Sequence, residues 1–119
     1  MQYALLIYDD ESKPVESWDA ASREKFIAEF MALTADMRAR GILLASQRLA
    51  PTDTATTVHI RNGQEMVTDG PFAETKEALG GFYLIEARDL DEALELGAAC
   101  PGAKYGSIEV RPIQELPSA

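Results

Sequence analysis

The residues best suited to chemistry crowd into one stretch, Val67-Thr68-Asp69-Gly70-Pro71-Phe72-Ala73-Glu74-Thr75-Lys76-Glu77. It sets an aspartate directly before a Gly-Pro pair and then a lysine beside a glutamate. An aspartate turned into an apolar cleft is desolvated, which suits it to take or give a proton. Asp69 is therefore the candidate general acid or base. The competing reading is a turn cap, with the Asp69 carboxylate accepting backbone N–H groups around Gly70-Pro71 as aspartates commonly do. Lys76 is the candidate contact for an anionic ligand group or the neutraliser of Asp69, with Glu77 at its side. The alternative for that pair is a solvated ion pair of little energetic weight. Phe72 and Tyr83 are candidate pocket walls, and Tyr8 and Ser46 could bring hydroxyls to the same cleft. Core or edge packing is the plain alternative for all four.

Other chemistries lack their residues. The chain has 11 Lys and Arg against 20 Asp and Glu, a formal net charge of -9, with no basic run. Phosphate backbones and anionic membrane surfaces would repel it, so neither nucleic acid nor membrane is an expected partner. The single histidine, His59, and single cysteine, Cys100, are far apart, which argues against a zinc site. The acids lack the Gly-centred spacing of a calcium loop. Gly80-Gly81 lacks the Lys-Ser/Thr of a phosphate loop and is read as a bend or bulge. No flavin, nicotinamide or haem motif is present, so neither cofactor nor metal is expected. Cys100 falls at a predicted helix C-terminus, which lacks the positive dipole end that activates a thiolate. One cysteine forms no internal disulfide, and the apolar N-terminal run is short and lacks a basic flank, so a cytoplasmic location is expected.

The elements that must position these residues follow from periodicity. At 119 residues the chain reads as a single domain over 1–119. Gln2 to Tyr8 is a continuous apolar run that predicts a strand buried on both faces. Phe26, Phe30, Leu33, Thr34 and Met37 share one face of a helix predicted over Asp19 to Arg40, capped by Asp19 or Ser17 and stopped at Gly41. Ile42 to Leu49 is a second strand. Thr56 to Asp69 predicts a hairpin with a type I′ turn at Asn62-Gly63, pairing Arg61 with Gln64, His59 with Met66 and Thr57 with Thr68. Val58, Ile60, Val67 and Asp69 then share the more apolar face, so Asp69 is expected to point toward the core side or a cleft in it. His59 is expected at the surface or an interface. Phe82 to Ala87 is a further strand. Asp89 and Glu92 form a capping box for a second helix with Leu90, Ala93, Leu94 and Gly97 inward. Gly106 to Ile113 is the last strand.

The order β-α-β, hairpin, β-α-β predicts an α+β ferredoxin-like sandwich with an inserted β-hairpin. Both helices then lie on one sheet face. The bare face needs a cover, and a second copy is the simplest, giving a homodimer through the sheet face.

The Val67 to Glu77 stretch, with Gly80-Gly81-Phe82-Tyr83 after it, resembles the signature of YCII-related proteins and, more narrowly, their DGPF branch. Tyr3-Ala4-Leu5-Leu6-Ile7-Tyr8 and Gly106-Ser107-Ile108-Glu109-Val110-Arg111-Pro112 resemble the two ends of that family, so the likeness runs nearly the whole chain. The resemblance implies a dimeric α+β barrel. It implies little about activity: the branch is largely of unknown function, some relatives are taken to be enzymes with a His-Asp pair, and genes of the branch often lie beside those of extracytoplasmic-function sigma factors. The histidine of such a pair would fall near the first helix, where this chain has none. Two functions are therefore weighed. One is a small-molecule-binding protein, enzymatic without a cofactor if Asp69 moves a proton. The other is a non-catalytic interaction or regulatory module.

Overall fold

The computed structural model of the chain describes residues 1–117. The apolar N-terminal run forms β1 (Gln2–Asp9). A 3-10 turn at Val15–Ser17 leads to α1 (Ala20–Ala39) and β2 (Leu43–Arg48). After a second such turn at Thr52–Thr54 come β3 (Thr56–Arg61) and β4 (Gln64–Asp69). Then follow β5 (Ala78–Glu86), α2 (Leu90–Ala99), a turn at Pro101–Lys104 and β6 (Ser107–Pro112).

Local signals account for the boundaries. The Asp19 carboxylate accepts the Ser22 N–H at 3.0 Å and starts α1. Gly41, at φ 70°, ends it, with Ile42 N–H reaching back to Met37 C=O at 3.0 Å. Asp89 caps α2 through the Glu92 N–H at 2.9 Å, while the Glu92 carboxylate returns to the N–H of Arg88 at 3.1 Å, one residue earlier than a capping box predicts. The inward face of α2 keeps Ala93 and Gly97 as expected but takes Leu96 in place of Leu90 and Leu94. Ala93, Leu96 and Gly97 are buried, whereas Leu90 and Leu94 are nearly half exposed. Gly97 lies 3.1 Å from Val110 by its missing Cβ, so the helix rotates to bring its smallest residue onto the sheet.

Four strands form one sheet in the order β2-β5-β1-β6, every neighbouring pair antiparallel. This α+β arrangement is consistent with a ferredoxin-like fold. Tyr3, Leu5, Tyr83 and Ile85 point from the sheet to Met37, Ala93, Leu96 and Cys100, and this is the core. The other face of the sheet carries Ala4, Leu6, Phe82 and Leu84 in register, without a helix over it. They are only partly buried, so the expectation of burial on both faces of β1 fails within one chain. Gly80 is the extra residue where the β1–β5 register shifts, making the predicted bulge.

The hairpin forms with the predicted register, and Asn62 (φ 53°) and Gly63 (φ 74°) make its turn. It is a separate two-stranded sheet, and every residue of β4 is exposed.

Candidate functional site

The Gly70 to Glu77 connection runs from β4 to β5. Gly70, at φ 100°, supplies the backbone turn that only glycine adopts readily. The turn is pinned by the Gly70 N–H on Ala55 C=O at 2.7 Å and by the Thr57 hydroxyl on Gly70 C=O at 2.8 Å. At the far end, the Ser107 hydroxyl donates to the Glu77 carboxylate at 2.8 Å. Two open clefts flank this loop. One, about 390 Å³, is lined by Asp10, Glu11, Ser12, Thr75, Lys76 and Ala78. The other, about 370 Å³, lies against Thr52, Asp53, Gly70, Pro71, Ala73 and Glu74, and shares Thr75 and Ala78 with the first. The Glu11 carboxylate ties the two rims together by accepting the Thr52 N–H (2.9 Å) and hydroxyl (2.6 Å).

Of the residues singled out from sequence, the structure brings Lys76 to a cleft. Asp69 pairs with Thr56 at the base of the hairpin and is exposed, not turned to the core side as expected. The expectation rested on the hairpin packing its apolar face on the body, and it does not. Phe72 is 81% exposed, with its ring edge-on to His59 at 5.8 Å. Tyr8 donates to Glu109 at 3.4 Å on the helix-free sheet face. Ser46 is exposed on edge strand β2. Glu77 is engaged by Ser107. Tyr83 is 4% exposed in the core, its hydroxyl 2.8 Å from the Thr34 hydroxyl, and it lines neither cleft.

The sequence reading passed over Asp9. The residue as a whole is exposed, but its carboxyl rests on the sheet at the β5 bulge. A Cβ on Gly80 would meet Asp9 Oδ1 at 3.1 Å. Desolvation there raises the Asp9 pKa, helped by the nearby charges of Glu11, Asp10 and Glu16 and opposed by Arg48. A clue lay in the sequence: an aspartate closing a strongly apolar run, in a chain with a glycine pair whose bulge leaves room for a carboxyl. Asp10 behaves oppositely. Hydrogen bonds from the Ser12 hydroxyl and N–H hold its carboxyl below the usual range, with Lys13 and Lys76 adding to the effect.

Burial pushes the Cys100 thiol up to about 11, so it stays protonated and inert at neutral pH. Among the described residues, no three His, Cys, Asp or Glu side chains converge as a metal site. No described helix is long and apolar enough to cross a membrane.

Comparison with known proteins bears on the whole chain. Residues 1–117 match the YCII-related domain. An uncharacterized protein of Rhizobium meliloti (strain 1021) is 42% identical over 125 residues, taking in 99% of this chain and 100% of the relative.

Proposed function

Because the chain belongs to the YCII-related domain family, and the relative it matches is itself uncharacterized, we propose a function from its own geometry: it binds a small molecule beside the Gly70 to Glu77 loop. One observation carries this reading. Lys76 lines one of the two clefts, and the cations that form ion pairs among the described residues are the Met1 amino group, Arg40, Arg48, Arg88, Lys104 and Arg111, without Lys76. The Lys76 ammonium, outside those ion pairs, suits an anionic ligand group such as the carboxylate of a small organic acid, while Asp10 and Glu11 in the same cleft suit a hydrogen-bond donor on that ligand. Asp69 lines neither cleft but directly precedes Gly70 on the rim of the second, and it is the proposed acid or base for a reaction beside the loop. Asp9 is its rival, because the fold weakens its acidity close to the Lys76 cleft.

A thermal-shift screen against small organic acids and lactones tests this. A ligand at about 100 times its dissociation constant stabilises the protein by about 2.7 kcal/mol, which moves the midpoint of a domain this size by several degrees. The shift is expected to disappear in Lys76→Met. Persistence of the full shift in that variant places the ligand elsewhere. Among binders that also turn over, Asp69→Asn and Asp9→Asn identify which carboxyl moves the proton.

The helix-free sheet face supports a second part of the reading, a homodimer whose two sheets face each other and close an α+β barrel. Light scattering that finds a monomer at micromolar concentration refutes it. The exposure of the hairpin favours the alternative function, an interaction or regulatory module without catalysis. Silence of the ligand screen across a broad panel selects that alternative.

A further inference from the structure

The single chain has far more surface than its mass requires. A compact 13.0 kDa monomer exposes about 6,300 Å², whereas this chain exposes 8482 Å², roughly 2,100 Å² more. Its radius of gyration is 16.5 Å, against about 13.5 Å for a compact domain of this length. The excess lies in the helix-free sheet face, the C-terminal Ile113 to Pro117 stretch and, most visibly, the β3–β4 hairpin.

The two hairpin faces differ. On one, His59 and Thr57 are partly covered by the chain's own turn, through the Phe72 ring and the Gly70 carbonyl, while Met66 is 51% exposed. On the other, Val58, Ile60 and Val67 are 56%, 65% and 58% exposed and form an apolar patch with Glu65 and Asp69 at its edges. A two-stranded hairpin with a bare apolar face is marginal in water by itself. Something must cover it. A short peptide burying about 800 Å² per side would leave most of the excess in water. An obligate interface between copies buries about 1,000–2,500 Å² per partner, which is the size of the excess. Two-fold pairing also covers two separate surfaces at once, because each contact occurs twice.

We propose that the β3–β4 hairpin is an intersubunit arm, its Val58, Ile60 and Val67 face seated on a second copy of this chain and continuous with the sheet-face interface. The proposal rests on the homodimer reading above and extends it. Asp69 shares the seated face, so the partner turns an exposed aspartate into one beside apolar cover. The candidate acid is then complete only in the dimer.

The test compares two variants by sedimentation equilibrium. Val58→Lys/Ile60→Lys alters the arm at positions exposed in the single chain, so circular dichroism is expected to stay native. Its dimer dissociation constant is expected to rise by about 100-fold or more, because each arm loses two buried aliphatic side chains. Phe82→Lys alters the sheet face alone. If the arm variant dimerises as tightly as wild type while Phe82→Lys is monomeric, the arm proposal is overturned and the sheet-face dimer stands. If wild type is monomeric, both fall. Amide exchange on the wild type guards against a misfolded variant. The β3 and β4 amides are expected to be protected at high protein concentration and to lose protection on dilution through the dissociation constant. Concentration-independent exchange in the arm overturns the proposal.

Discussion

Asp9 closes β1 with its carboxyl against Gly80, and its raised pKa makes it a brake on stability at neutral pH. The folded state holds this proton more tightly than the unfolded chain. Its stabilising contribution is therefore full below the unfolded value of about 3.9 and is lost as pH rises through the higher folded value. Asp9→Asn removes the cost of keeping a charge there. The variant is expected to be more stable than wild type at neutral pH, with the gain shrinking to nothing below pH ~4. Denaturant unfolding of both proteins at the two pH values measures this, and a gain equal at both refutes it. Comparing variant with wild type at each pH cancels the carboxyls of Asp19 and Glu92, whose pKa values are lowered, which weaken any form of the protein in acid, and which are not among the charges acting on Asp9.

At the scale of elements, the loops at this end of the sheet are locked by close backbone approach. Gly106 enters β6 so near the end of β1 that a Cβ would overlap the Tyr8 carbonyl oxygen and lie 3.2 Å from the Asp9 Cα. Neither is a flexible side chain, so the strands must part. Gly106→Ala is expected to cost about 2 kcal/mol or more, read as a loss of several degrees in melting temperature. A melting temperature within a degree of wild type would show that the strands separate freely there. Most elements themselves were legible. The Phe26 to Met37 face, the Asp19 cap, the Gly41 stop and the Asn62-Gly63 turn all depend on neighbours within a few residues. On α2 the inward Ala93 and Gly97 were legible, but Leu90 and Leu94 lie nearly half exposed and Leu96 is buried instead, because the small residues set which way the helix rotates onto the sheet.

The molecule as a whole is a slab of 47 × 44 × 19 Å, thin in one direction because helices cover one side of the sheet alone. If two such slabs fold as one dimer, the melting temperature is expected to rise with protein concentration, since association stabilises the folded state by mass action. A midpoint constant over a hundredfold concentration range counts against an obligate dimer. The candidate site shows the limit of sequence reading at this scale. Lys76 stands out in the sequence from its place beside the Gly-Pro turn, and the fold sets it in a cleft. Tyr83 was misassigned as a wall because an aromatic in an apolar strand looks the same whether its ring enters a cleft or a core. Asp69 was sent inward because its hairpin face was apolar, yet the hairpin does not pack on its own domain.

The sequence by itself determined the order of strands and helices and the hairpin register, because periodicity, caps and glycine φ angles act over a few residues, though β5 starts at Ala78, before the expected Phe82. It also determined the excess of acidic over basic residues and the likeness to one family. Only the tertiary structure decided that Asp9 rests against a bulge glycine, that Lys76 lines a cleft apart from Asp69, and that the hairpin stands away from the core. Those outcomes depend on which distant surfaces meet, and a period of two or 3.6 residues records which side of an element is apolar but not what that side will touch.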